Sequence, residues 1–263
     1  MNWQAFDEAP RPLPVDDAAP SPRGCPDGMV RVEGQYLVAA SGADDDSVLA
    51  SQNSCCTEWR SASRGADGLC ATFDAGRWAI ERARLGRRPM SVCVDRFEFP
   101  NRRGEYPVVV STYAESAAYC ARDGKRLCTE SEWTFACEGE EGLPYPYGYA
   151  RDPGACNFER KVPLDIAGDF APRMLPSTAA ALDRAFEGLP SGERPRCVSP
   201  TGVADLTGNV DEWTTSTRRG GYRMILKGGH SGFVRSRCRP ATRGHGPLYV
   251  NHSQGFRCCA DPP

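Results

Sequence analysis

Thirteen cysteines in 263 residues restrict this chain more than any other feature of its sequence. They are scattered from Cys25 to Cys259, and no two stand in a Cys-x-x-Cys spacing. Zinc ribbons and thioredoxin-type redox motifs need that spacing, so neither is supported. Dispersed cysteines without metal spacing predict disulfides and hence an oxidising compartment. Thirteen is odd, so at least one cysteine has no partner within the chain.

The remaining composition narrows the class further. A formal net charge of −2 gives no electrostatic footprint for nucleic acid or anionic lipid. No apolar run approaches the length of a membrane span. The acids Asp44–Asp46 repel one another and read as a solvated loop. Residues 1–24, rich in Pro, Ala and Asp, lack the apolar core of a signal peptide and read as a disordered leader. Residues 25–263 then form one domain. The cysteines argue for an exported protein whose signal is not in this chain, with a cytoplasmic protein as the alternative.

Local patterning predicts an α+β domain with two core helices, short strands and much loop. Val30, Val32, Tyr36 and Val38 flank Glu33-Gly34 and predict a hairpin. Val92, Val94, Phe97 and Phe99 predict a strand ending at Pro100. Residues 40–90 are irregular, anchored by Trp59 and Trp78. Thr112 with Glu115, and Thr129 with Glu132, are capping boxes that start two helices, running to Gly124 and to about Gly139. Residues 177–189 predict a further short helix. The hexapeptide from Gly208 to Trp213 sets two acids, Asp211 and Glu212, between residues that want burial. It requires a bound cation or a local hydrogen-bond network.

Several motifs stand in one order: "GMVRVEGQYLVAAS", "CVDRFEFPN", "AAYCARDGKRLCTESEWTFACEG", "GVADLTGNVDEWT", "LKGGHS" and "GFRC". Together, over roughly residues 25–260, they resemble the formylglycine-generating enzyme family, the sulfatase-modifying-factor domains. The resemblance implies a single irregular domain, a variant of the C-type-lectin-like fold. It implies a structural calcium ion held by the side chains of Asp205 and Glu212 and the carbonyls of Gly208 and Val210. Such mixed oxygen ligation suits calcium. A second calcium site would begin at Asn157 and the Phe158 carbonyl. The resemblance also implies two disulfides, Cys120–Cys258 (with Cys259 as a competing partner) and Cys137–Cys238. Eight other cysteines could form four more bridges in any of 105 connectivities.

What the chain lacks matters equally. The family's enzymes hold copper(I) with two cysteines five residues apart, just before the structural cysteine of a closing strand. Cys238 takes that structural position here, and Gly228 and Phe233 stand where the pair belongs. Copper(I) needs soft sulfur ligands, so formylglycine chemistry is not expected. Three histidines, His230, His245 and His252, offer the alternative of a rebuilt copper or iron site and a divergent oxygen-dependent oxidoreductase. The favoured expectation is a calcium-stabilised binding or accessory module for a protein, peptide or small-molecule ligand.

Overall fold

The computed structural model describes residues 24–43, 46–60, 69–160, 176–218 and 223–263, so the leader lies outside the described residues. Its order is β1 (Met29–Val38), α1 (Ser47–Ser54), β2 (Cys56–Trp59), β3 (Cys70–Phe73), α2 (Ala75–Arg82), β4 (Gly86–Asp95) and α3 (Tyr113–Arg122). Then come β5 (Arg126–Leu127), α4 (Glu130–Glu138), α5 (Pro176–Ala185), β6 (Asp211–Thr215), β7 (Met224–Lys227), β8 (Ala241–Thr242), β9 (Gln254–Phe256) and β10 (Cys258–Ala260). Two four-stranded sheets, ordered β1-β4-β10-β5 and β8-β7-β6-β9, carry the domain, with β2-β3 as a separate hairpin.

The first departure from the sequence reading lies in β1. Residues 29–38 do not turn at Gly34 but pair continuously, antiparallel to β4, from Met29↔Asp95 to Val38↔Gly86. Gly34 serves a close approach instead. A Cβ there would stand 2.6 Å from Glu140 Oε1, and that same oxygen accepts the Gln35 amide at 2.7 Å. The alternating valines therefore belong to one long strand. Residues 40–90 are also more regular than expected, folding as α1, the β2-β3 hairpin and α2. Trp78 is their buried anchor, whereas Trp59 is 38% exposed.

Both core helices start at reciprocal capping boxes. Thr112 Oγ1 accepts the Glu115 amide while Glu115 accepts the Thr112 amide, and Thr129 and Glu132 do the same for α4. α4 is buried along nearly its whole length, so Trp133 and Phe135 enter a core with Val30, Val32, Val92, Val94 and Leu206. α3 buries only Ser116 and Cys120 fully, with Tyr113, Ala117 and Tyr119 half-buried against the core and Ala114, Ala118 and Ala121 exposed. A second core joins Phe99, Trp213, Leu226 and Phe256 beneath it.

Six disulfides hold these layers: Cys25–Cys93, Cys56–Cys70, Cys120–Cys258, Cys128–Cys259, Cys137–Cys238 and Cys156–Cys197. Adjacent cysteines on β10 point to opposite sides of the strand, so Cys258 reaches α3 while Cys259 reaches Cys128. Loops of 138, 131 and 101 residues are closed in this way. In the chain-entropy account each removes up to ~4–5 kcal/mol of freedom from the unfolded state. The free cysteine is Cys55, buried with Leu37, Val48 and Trp78. Among the described residues no helix is long and apolar enough to cross a membrane.

Candidate functional site

The segment from Asp205 to Trp213 is buried along its whole length. Asp205, Gly208 and Asn209 adopt positive φ (56°, 78° and 60°), which winds the loop tightly before β6 begins. Gly208 is required, since a Cβ would meet the Asn157 carbonyl at 2.4 Å. Asn209 tolerates the left-handed region and uses its whole side chain. Its Nδ2 donates to Glu98 Oε2 (2.7 Å) and Leu189 O (3.1 Å), while its Oδ1 accepts from Leu189 N (2.7 Å) and Asn157 Nδ2 (3.0 Å). Backbone bonds from Gly208 N to Gly228 O and from Asn209 N to Asn157 O pin the loop. Neither uses the carbonyl of Gly208 or Val210.

β6 lies between β7 and β9, so both of its edges are hydrogen-bonded, and the two acids leave it on opposite faces. Glu212 is fully buried. It accepts a fork from Arg257 (Nε and Nη2, both 2.7 Å) and the Trp133 indole N–H at 2.7 Å. Asp211 accepts from Arg235 Nη2 at 2.5 Å and from the Gly229 amide at 3.2 Å. Trp213 packs in the second core and donates to Ser111 O at 3.0 Å. A guanidinium for each acid reconciles the hexapeptide's polar and apolar halves.

Arg257 does not balance the charge around it. Glu98, on the segment after β4, is wholly buried and accepts from Ser191 Oγ (2.9 Å) and Asn209 through Oε2 alone. Its Oε1 has no hydrogen-bond partner. Burial, with Asp205 and Glu212 nearby, holds the Glu98 carboxyl far above the usual carboxylate range. Burial pushes Asp205 up to about 6, against the Gly192 amide it accepts at 2.6 Å and the Arg257 charge. Three buried carboxyl groups therefore face one guanidinium, and without a further cation Glu98 keeps its proton. An oxygen-seeking divalent cation fits that excess, and an orphaned buried carboxylate oxygen is the kind of atom such an ion would satisfy. Among the described residues no three His, Cys, Asp or Glu side chains close on one metal-holding point. Glu98 escaped the sequence reading, although an acid between Phe97 and Phe99 at the end of an apolar strand was a visible signal.

The other candidate residues have different surroundings. Asn157 Oδ1 accepts from Arg160 Nε at 2.7 Å, and its Nδ2 donates to Glu187 O at 3.0 Å as well as to Asn209. Phe158 is buried beside Cys156 and Cys197. His230 and His245 both sense the Asp211–Arg235 pair, and His252 senses His230. Among the described residues the three histidines form no metal-holding set. His230 Nδ1 accepts the Gly232 amide at 2.9 Å, and His245 lies flat on Tyr249 with ring centroids 3.6 Å apart. Burial lowers the affinity of all three for protons, taking His252 to about 4 with help from the His230 charge.

No thiol reaches the stretch before Cys238. Cys238 is bonded to Cys137, Phe233 is 49% exposed, and Gly228 (φ 89°) packs under Trp133 and the Leu206 carbonyl. A family model described as the sulfatase-modifying factor enzyme 1-like domain matches residues 88–262. The chain belongs to this family. The mouse protein named inactive Cα-formylglycine-generating enzyme 2 is 34% identical over 166 residues, covering 59% of this chain and 49% of its own length. The formylglycine-generating enzyme of Mycobacterium tuberculosis is 28% identical over 187 residues, covering 61% of this chain and 59% of its own. The chain thus spans about half the length of the inactive mammalian relatives it matches. Among solved structures, PvdO from Pseudomonas aeruginosa aligns at TM-score 0.52 and 15% identity over 91% of this chain and 95% of its own. CarF aligns at TM-score 0.51 and 14% identity over 89% and 98%. These two likenesses concern the fold alone. The matched span begins within β4, so β1, α1, β2, β3 and α2 precede it.

Proposed function

We propose that this sulfatase-modifying-factor domain is a non-catalytic binding or accessory module, exported and stabilised by calcium. The observation that carries the reading is the state of its thiols. Twelve of thirteen cysteines are in disulfides, and Cys55 is buried against α1 and α2, far along the chain from Cys238. Burial raises the Cys55 thiol, which keeps it protonated and a poor ligand for a soft metal. Where the resemblance expects a thiolate pair, this chain has Gly228 and Phe233. The similarity to relatives named as inactive formylglycine-generating enzymes supports the same conclusion.

Calcium would be held by Asp205 and Glu212 through their carboxylates and by Gly208 and Val210 through their carbonyls. Its charge would offset the excess that Arg257 leaves. Incubation with copper(I), oxygen, a reductant and a sulfatase-type peptide (Cys-x-Pro-x-Arg) tests the catalytic half. Mass spectrometry is expected to find the peptide cysteine unchanged, and appearance of the aldehyde would overturn the proposal. Elemental analysis of the purified protein tests the other half: calcium is expected, whereas stoichiometric copper or iron would favour an oxidoreductase built on His230, His245 and His252.

A further inference from the structure

The segment before Cys238, where the resemblance expects a thiolate pair, is met instead by a hairpin that precedes the matched family span. Trp59 of β2 lies against Arg237, whose Cζ stands 5.1 Å from the ring centroid. Arg237 is wholly buried, while Trp59 is 38% exposed and still presents ring surface to solvent. The neighbouring Arg60 pairs with Glu159, which Arg151 also holds through Nε at 2.9 Å. The Glu159 amide donates to Gly232 O at 3.1 Å, and the Arg160 amide donates to Ser231 O at 2.7 Å. Phe233, which follows Gly232, is 49% exposed. Direct bonds thus join the hairpin, the 159–160 turn and the 231–237 segment into one surface that carries two exposed aromatic residues.

That surface is basic. Among the described residues, Arg60, Arg151, Arg160, Arg235 and Arg237 stand here against Glu58, Glu159 and Asp211, five guanidinium groups for three carboxylates. Asp211 takes Arg235, Glu159 is shared by Arg60 and Arg151, and Arg160 Nε donates to the neutral Asn157 amide at 2.7 Å. Asp152, beside Arg151, is matched by Arg196. The adjoining segments 61–68 and 161–175 do not alter the sum, since each holds as many acids as bases: Arg64 with Asp67, and Lys161 and Arg173 with Asp165 and Asp169. The Arg60 side chain remains 40% exposed while paired.

We propose that this surface docks an acidic peptide segment of a partner protein, whose apolar side chains pack on Trp59 and Phe233. Aromatic residues and arginine are the side chains that carry most of the energy of protein interfaces. A guanidinium fork matches a carboxylate in shape as well as in charge. An extended polyanion or an anionic membrane fits less well, because the whole chain is at −2 and offers it no long-range attraction. The inference rests on the reading of this domain as a binding module. It fails separately from that reading if the sulfatase-type peptide stays unmodified and yet no acidic peptide binds.

Selection of short random peptides displayed on phage, with the full chain as bait, tests the assignment. Selected peptides should combine an excess of Asp and Glu with aromatic or aliphatic residues. Synthesised singly, they should bind with Kd on the order of 1–100 µM. Trp59→Ala should weaken that binding about tenfold, and Arg60→Ala about threefold. Phe233→Ser should weaken it about fivefold without touching the Trp59–Arg237 contact. Raising the salt from ~50 to ~500 mM should weaken it several-fold. The melting temperature of each variant separates lost docking from lost fold. Recovery of no peptide, or only of neutral or basic ones, would overturn the proposal. So would binding that all three variants leave unchanged, or tighter binding to phosphatidylserine vesicles than to any selected peptide.

Discussion

Two loops of this domain meet at Asn209, and the resemblance gives both the same expectation of a bound cation. Their buried electrostatics differ. Around the 205–212 loop, Glu98, Asp205 and Glu212 share one guanidinium, Arg257, and one Glu98 oxygen has no partner. At the 157–160 turn the candidate ligand is a neutral amide whose oxygen already accepts from Arg160 and whose nitrogen donates twice. The oxygen atoms alone would not separate these sites. The crowded acids do, because ionising Glu98 beside Asp205 and Glu212 is costly enough to keep it protonated unless a further cation is present.

The most damaging way to probe the first loop is Glu212→Ala. It strips fully buried Arg257 of its forked partner and Trp133 of its acceptor. Breaking a buried pair from one side costs roughly 3–5 kcal/mol, enough to consume much of the stability. Urea unfolding should register that loss with and without added calcium. A loss below about 1 kcal/mol would mean that Arg257 finds water or another acid and that the pairing described here is unimportant. Asp211→Ala likewise strands Arg235, but it should leave any response to calcium intact.

Calcium removal should come next in size. An ion bound only by the native state stabilises it by ~3–4 kcal/mol at 100 to 1,000 times its dissociation constant. The melting temperature should therefore fall on chelation and recover on adding calcium back. Glu98→Gln gives a sharper test, since an amide cannot give up a proton to a cation as the protonated carboxyl can. The calcium-free variant should be about as stable as the calcium-free parent, and its gain from calcium should be smaller. An unchanged melting temperature on chelation, in protein that contains no calcium, would sink the assignment for this loop.

The sequence disclosed these two loops unequally, for reasons visible in single residues. The helices α3 and α4 were legible because a capping box is local: Thr112 with Glu115, and Thr129 with Glu132, carry their own geometry. Gly34 misled because a glycine permits a turn but equally permits the close approach of Glu140 that the long strand uses. Glu98 is separated from Asp205 by more than a hundred residues, so its charge conflict exists only once β4 and the 205–212 loop are brought together. The partners of Asp211 and Glu212, Arg235 and Arg257, are also distant along the chain, 24 and 45 residues away. The resemblance put oxygen ligands into the hexapeptide, and the fold gives each of its acids a guanidinium beside any ion.

Asn157→Ala examines the second loop and should cost less. Its amide is almost fully buried and ties Asn209, Glu187 and Arg160 together. Losing those neutral and singly charged bonds should cost about 1–3 kcal/mol. The same loss should appear with and without calcium. A variant whose deficit vanished on calcium removal would instead make Asn157 a ligand, and the two loops would then be alike after all.

The smallest effect concerns whether the protein could supply its own compensating cation. Lys227 is paired across the sheet with Glu212 and is wholly buried. Burial depresses its ammonium to about 7, opposed by the carboxylates of Glu130 and Glu138, and it donates to Arg239 O at 2.7 Å. Its electrostatic partners thus lie toward α4 rather than in the 205–212 loop. In the unfolded chain Lys227 keeps its proton to about 10.4. Between those two pH values the unfolded state holds more protons, so this group makes stability rise with pH, at about 1 kcal/mol per unit. The rise should be visible from pH 7 to 9, before tyrosine ionisation in the unfolded chain reverses it. In Lys227→Met the slope should disappear while the increment from calcium persists. If the variant instead lost its calcium increment, Lys227 would be coupled to the 205–212 carboxylates, and their charge excess would be smaller than the structure implies.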